Sequence, residues 1–298
     1  MTLPPSIQAA VTRTLSPVEG VERVGGGCID PACRIQLAHG ENAFLKWSRE
    51  RGPRGFGVEA RGLEALAGRG GIPVPRVLGW DDGSADTRGW LLLEWIDPGD
   101  AHASTGGTLG EGLATLHRPL PSGTEPGWEE DGWIATLPQA NPQGMDWPRF
   151  WAEARLLPQW EAARNAGYFS PDDQDRMEAL LAHLPLALAA WEADGLALLH
   201  GDLWSGNVLV GIGGEPHLVD PAVYRGHREV DLAMLELFGA PWSGWREGYE
   251  AAAPLQPDYD RVRRGIYQLY PLLVHVNLFG GGYVARTRAT LEQALAQL

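Results

Sequence analysis

One short run constrains this 298-residue chain more than any other: His200-Gly201-Asp202-Leu203-Trp204-Ser205-Gly206-Asn207. An apolar strand, Val208-Leu209-Val210, follows directly, and Leu218-Val219-Asp220-Pro221 comes after a turn. The pattern is an Asp on a loop, an Asn five residues on, and a second Asp at the end of a short β-hairpin. A phosphoryl-transfer site requires such a set. One carboxylate holds the acceptor hydroxyl, and hard oxygen ligands hold the metal that travels with nucleotide phosphates.

The first hundred residues supply the other parts such a site needs. Pro4 to Leu15 reads as an amphipathic helix with Ile7, Ala10, Val11 and Leu15 at helical spacing. Val18–Val24 and Cys33–Leu37 read as strands around Gly25-Gly26-Gly27-Cys28. A strand–glycine turn–strand layout suits a loop whose amides cover phosphates, whereas a Walker loop leads into a helix. The next strand, Ala43-Phe44-Leu45-Lys46-Trp47, carries the only Lys among 23 Arg. A compact ammonium on a flexible stem is not replaced by a guanidinium, so a lone Lys on a third strand is a candidate phosphate ligand. Residues 55–69 read as a helix with Val58, Ala60, Leu63 and Leu66 on one side. Glu59, near its start, is the expected ion-pair partner of Lys46, with Glu64 as the rival.

Trp90 to Ile96 reads as a strand buried on both faces and broken by Asp97-Pro98-Gly99. Main-chain groups of Glu94, Trp95 and Ile96 are then expected at an adenine edge. The pattern predicts two lobes in an α+β fold. Residues 1–97 form a small β-rich nucleotide-binding lobe, and residues 98–298 form a larger, mainly helical lobe for catalysis and substrate binding. In the second, a helix ends at His117, residues 119–148 are loop-rich with several Trp, and helices span 148–166 and 171–193. Leu196–Leu199 delivers His200 and Asp202. Asp231, near the start of a later helix, reads as an N-terminal charge or an anchor for the catalytic loop.

Composition removes several classes of function. A net charge of −14 argues against nucleic-acid or anionic-membrane binding, which need a basic face. No run of about 18 apolar residues occurs, so no membrane span is expected. Two cysteines, Cys28 and Cys33, make no disulfide framework, and the simplest reading is a reduced cytoplasmic protein.

Together the motifs assign Asp202 as catalytic base, Asn207 and Asp220 as Mg²⁺ ligands, and Lys46 with Gly25, Gly26, Gly27 and Cys28 as the ATP phosphate site. The loop with Asp220-Pro221-Ala222 resembles that of small-molecule kinases of protein-kinase-like fold, such as the aminoglycoside and choline kinases. The narrower match is carried by Trp204, the Gly25–Ile29 turn and Tyr224-Arg225-Gly226-His227-Arg228-Glu229-Val230-Asp231-Leu232-Ala233. It extends to Tyr267-Gln268-Leu269-Tyr270 and Asn277–Tyr283. These resemble the fructosamine kinase (ketosamine-3-kinase) family from about residue 18 onward. The resemblance implies ATP-dependent phosphorylation of the sugar 3-hydroxyl of ketosamines, either small molecules or glycated protein lysines, followed by loss of the adduct. It places Trp204 and His227 near the sugar, and it implies either a monomer or a dimer linked through Cys28. Two departures stand out: Cys33 where the family tends to an aromatic, and Gly132-Trp133-Ile134-Ala135 where it tends to an Asn-x-Ile-Gly-like segment. A kinase of another small hydroxyl compound and a non-catalytic nucleotide-binding pseudokinase are the alternatives.

Overall fold

A computed structural model of the chain describes residues 2–25, 30–50 and 55–298. The elements run α1 (Pro5–Thr14), β1 (Val18–Arg23), β2 (Ala32–Leu37), β3 (Asn42–Trp47), α2 (Phe56–Arg69), β4 (Val77–Gly83) and β5 (Arg88–Glu94). Next come α3 (Thr105–Leu116), β6 (Gly132–Ile134), β7 (Leu137–Gln139) and α4 (Trp147–Phe150). The last runs on as a π-helix (Trp151–Leu156) and α5 (Leu157–Asn165). After α6 (Pro171–Ala187) and α7 (Trp191–Asp194) lie β8 (Ala197–Leu199), β9 (Val208–Val210), β10 (Pro216–Leu218) and β11 (Tyr224–Gly226). The chain ends in α8 (Glu229–Leu237), α9 (Trp245–Ala252), α10 (Arg264–Phe279) and α11 (Val284–Leu295).

These elements form two compact units. One is Met1–Thr105 with Gly206–Pro221; the other is Gly106–Ser205 with Ala222–Leu298. The sequence reading put a single break near residue 97, but the hairpin β9–β10 joins the first unit through its backbone. Leu218 N donates to Pro73 O (3.0 Å), and Gly99 N donates to Val210 O (2.9 Å).

The first unit is an antiparallel sheet in the order β1-β2-β3-β5-β4. Strand alternation sorts its residues to two faces. Cys33, Ile35 and Leu37 of β2, with Ala43, Leu45 and Trp47 of β3, pack against Ile7, Ala10 and Val11 of α1. Phe44, Leu91 and Leu93 point the other way and pack against Phe56, Ala60 and Leu63 of α2. Lys46 shares the parity of Phe44 and so falls on the α2 side. The amide of Gly57, in the first turn of α2, donates to Asp82 Oδ1 of β4 (2.8 Å).

The second unit is built on α10, which packs against α5, α8 and α11. It buries Ile266, Tyr267, Leu269, Tyr270, Leu272 and Leu273. α3 lies backbone-close to α9, since a Cβ on Gly110 would lie 1.8 Å from Trp245 O. Several elements differ from the sequence expectation. β5 ends at Glu94 rather than Ile96. The loop-rich 119–148 stretch contains the hairpin β6–β7. The helix expected over 171–193 runs through Pro185 and stops at Ala187, and a separate short helix, α7, follows. No helix among the described residues is long and apolar enough to cross a membrane.

Candidate active site

In the first unit, residues distant in sequence converge on one ammonium. Lys46 is buried, and its Nζ lies 2.6 Å from Glu59 Oε1 and 2.7 Å from Asp220 Oδ1. Helical periodicity decides between the two glutamates. Glu59 lies on the flank of the buried Ala60–Leu63 stripe, while Glu64 is exposed. Burial pushes the Lys46 ammonium down, but the two carboxylates outweigh it and hold it charged, well above its ordinary range. Burial pushes Glu59 up to about 7 against the pull of Lys46, and the Asp220 charge adds to the rise.

The hairpin explains the spacing of Asn207 and Asp220. In register, Leu218 faces Val208, and Val219 N donates to Asn207 O (3.0 Å), so both residues stand at its open end. Asn207 is buried, and Asp220 adopts φ +52°, a conformation that Asp tolerates better than most residues. Asn207 and Asp220 supply oxygen donors of the hard type that a divalent cation takes. Gly26, Gly27 and Cys28 lie outside the described residues, while Gly25 has open space where a Cβ would sit. Glu94 and Trp95 line a pocket of about 430 Å³ with Leu15, Leu37 and Leu78. The Glu94 amide donates to Arg76 O (2.8 Å). Any adenine contact at 94–96 is therefore a matter for the remaining main-chain groups. Cys33 is buried, and burial pushes its thiol up to about 11, which makes it inert.

In the second unit, β8 pairs with β11 and releases the His200-Gly201-Asp202 turn. Asp231 anchors that turn. Its Oδ2 accepts from His200 N (2.7 Å) and its Oδ1 from Gly201 N (2.9 Å). His117 Nε2 lies 3.1 Å from the same carboxylate, and its Nδ1 lies 3.1 Å from Tyr249 OH. Burial pushes Asp231 up, but these partners outweigh it and hold the carboxyl below its ordinary value. Gly201 has φ +80°, and a Cβ there would lie 2.0 Å from Ala222 O. Asp202 is half-buried; Leu203, next to it, is fully buried and pins the loop.

Trp204 is half-buried, with its ring edge-on to Phe238 (6.5 Å between centroids). His227, expected near the sugar, is fully buried. Its Nδ1 lies 2.8 Å from Tyr267 OH and its Nε2 3.0 Å from Asp194 Oδ2. Both nitrogens are thus engaged inside the core, the geometry of a structural residue. Asp194, His227 and Glu229 are close enough to suggest a metal cluster. Two guanidiniums already compensate the acids. Arg228 Nε lies 3.0 Å from Asp194, and Arg263 makes two bonds to Glu229 (2.6 and 2.7 Å). Sequence reasoning missed these partners because their spacings follow no local period.

A family profile for fructosamine kinases matches residues 5–297. The chain belongs to the fructosamine kinase family. Within the family it is 39% identical to a probable ketoamine kinase of Synechocystis sp., over 91% of this chain and 89% of the relative. It is 35% identical to a chloroplastic protein-ribulosamine 3-kinase of Arabidopsis thaliana, over 92% and 82% of the two chains. A solved candidate fructosamine-3-kinase from Thermobifida fusca superposes with a TM-score of 0.87 at 37% identity, covering 98% and 99%. More distant likeness is in fold alone: an aminoglycoside phosphotransferase superposes at TM-score 0.63 with 15% identity. This fructosamine kinase relative thus has the α+β, protein-kinase-like fold and is an ATP-dependent phosphotransferase.

Proposed function

We propose that the protein phosphorylates a sugar hydroxyl, the 3-hydroxyl, of ketosamines, with ATP and Mg²⁺, and so promotes their deglycation. The convergence of Lys46, Glu59 and Asp220 beside Asn207 is the observation that carries the reading. An ammonium clamped by two carboxylates, one of which (Asp220) shares a hairpin end with Asn207, suits a metal-bound triphosphate. Lys46 meets the phosphates and Glu59 fixes its direction. Asn207 and Asp220 would hold the metal, which would supply neutralisation of charge at the phosphates. In this reading the Gly25-Gly26-Gly27-Cys28 run, read from the sequence, is assigned to the phosphates, and main-chain groups at 94–96 are assigned to the adenine.

Asp202 is the base. Held on a turn that Asp231 pins, it accepts or orients the proton of the acceptor hydroxyl as that oxygen attacks the γ-phosphorus, whose bond to the bridging oxygen breaks so that ADP leaves. Trp204 flanks the acceptor side. The names of the ketoamine and ribulosamine kinases support this choice of acceptor. A pseudokinase is disfavoured by the presence of Lys46, Asp202, Asn207 and Asp220 together. Free ketosamines and glycated protein lysines both fit the reading, as does a reducing cytoplasmic compartment.

The test is ATP consumption against ribulose-lysine, fructose-lysine, an aminoglycoside and choline. Ketosamine turnover is expected; activity on the last two alone would sink the reading. Asp202→Asn is expected to abolish turnover while nucleotide affinity, measured by calorimetry, stays within about twofold. A near-normal rate in that variant would remove Asp202 from the role of base.

A further inference from the structure

Arg155 is a fully buried guanidinium for which the site described above has no use. It sits in the π-helix after α4, a local distortion that often marks a functional position. Its Nη1 donates to Ala140 O (2.7 Å) and Ala154 O (3.1 Å), and its Nη2 donates to Asn141 Oδ1 (2.9 Å). All three acceptors are neutral. Among the described residues no carboxylate pairs with it, and its Nε has no hydrogen-bond partner. What faces the cation instead is aromatic: the rings of Tyr224 (4.0 Å to the centroid), Phe150 (4.6 Å) and Tyr270 (5.9 Å). Burying a guanidinium without a counter-charge is expensive, and a Met or Leu of similar length would fill the space more stably.

Two physical routes lead from this cation to the Asp202 turn, both within the second unit. The first runs through Tyr224. Arg155 stacks on its ring, and that ring packs on Gly201, where a Cβ would come within 3.2 Å of it. The second runs through the end of β7. Arg155 fastens Ala140 and Asn141, and Asn141 in turn ties back to Glu130 O (2.8 Å) and Asp131 Oδ1 (2.7 Å). The adjoining Gln139 accepts from Tyr270 OH (2.9 Å) and donates to Ala222 O (3.1 Å), the same carbonyl that Gly201 packs against. Arg155 therefore braces both surfaces that touch the residue before Asp202.

We propose that Arg155 is a positioning residue for the acceptor side of the reaction, clamping the 139–141 segment and the Tyr224 ring so that the Gly201–Asp202 turn keeps one register. The proposal rests on Asp202 being the base. Electrostatics fit it. Burial pushes the Tyr270 phenol up, and the same phenol feels Arg155 pulling it down and Asp202 pushing it up, so both charges act within one small neighbourhood.

The test compares Arg155→Met, Arg155→Lys and Gln139→Leu with Asp202→Asn in the full-length protein, reading kcat, KM for ribulose-lysine and nucleotide affinity by calorimetry. A misplaced reacting group is expected to lower kcat about 10- to 100-fold with nucleotide affinity within about twofold, in both Arg155 variants. Lys keeps the charge but not the planar fork, so it is not expected to rescue kcat. Gln139→Leu cuts the same brace at its far end and should give the same split; it decides the matter if neither Arg155 variant folds. Parental kcat in the Arg155 variants, or in Gln139→Leu where that variant decides, overturns the proposal. So does a loss that falls equally on nucleotide affinity. Should Asp202→Asn retain turnover, the base assignment fails first. An inactive Asp202→Asn beside fully active Arg155 variants overturns the positioning role alone.

Discussion

At Gly201 one missing carbon sets the geometry of the loop. Its positive φ is open to glycine at little strain, and the carbonyl of Ala222 occupies the space a side chain would need. Gly201→Ala is expected to lower stability by about 3 kcal/mol, since the backbone must leave the left-handed region and move off a carbonyl. Turnover should fall with it, because Asp202 is the next residue. Chemical denaturation and steady-state kinetics on the purified variant check both, and unchanged values would mean the turn relaxes freely. At the same scale, Asp231 illustrates what a sequence leaves open. Its position near a helix start fits an electrostatic role at the N-terminus or a role as anchor. The two loop amides on its carboxylate make it an anchor.

The start of α6 shows how much of an element is local. Ser170 and Asp173 form a reciprocal cap: Asp173 N donates to Ser170 Oγ (3.2 Å), and Ser170 N donates to Asp173 Oδ2 (2.9 Å). Arg288 of α11 adds two bonds to the same carboxylate, both 2.8 Å. The hydrogen bonds from Arg288, with those from Ser170, hold the Asp173 carboxyl well below the usual range. The folded state thus binds this proton less readily than the unfolded chain. Its contribution to stability is complete above about pH 4, the unfolded value, and is lost as pH falls below that toward the folded value. Asp173→Asn is expected to lower the melting temperature at pH 7 and to converge on the parent as the pH drops below about 4. Parallel melting curves across that range would show that the carboxylate does not couple to folding. The cap is readable from Ser170-Pro171-Asp172-Asp173 alone, but its Arg288 partner, 115 residues away, is not. Short elements escape for a different reason. β6, β7 and β11 have three residues each, too few for an alternation to declare itself.

For the whole molecule, the two units interleave along the chain, and this has a measurable consequence. A fragment of residues 1–105 lacks the hairpin that bonds to Pro73 and Gly99 and that carries Asn207 and Asp220. It leaves Lys46 with Glu59 but without its second carboxylate. The fragment is expected to melt less cooperatively than the intact protein by circular dichroism and to show no metal-dependent nucleotide binding by calorimetry. Tight binding by the fragment would show the hairpin to be dispensable. The α+β class, the strand of Lys46 and the order of Asp202, Asn207 and Asp220 were all legible in the sequence. Each is written in a local period or a short spacing that backbone geometry converts directly into structure. Partnership was not legible. Lys46 and Asp220 stand 174 residues apart, and Arg155 meets Tyr224 and Asn141 only after the helices have packed. The same limit applies to His227, for which the resemblance implied a place near the sugar and whose two ring nitrogens meet Tyr267 and Asp194 in the core. A sequence period assigns a residue to a face. Which charge or ring lies opposite is settled by burial, because only a dry interior makes the choice of partner matter energetically.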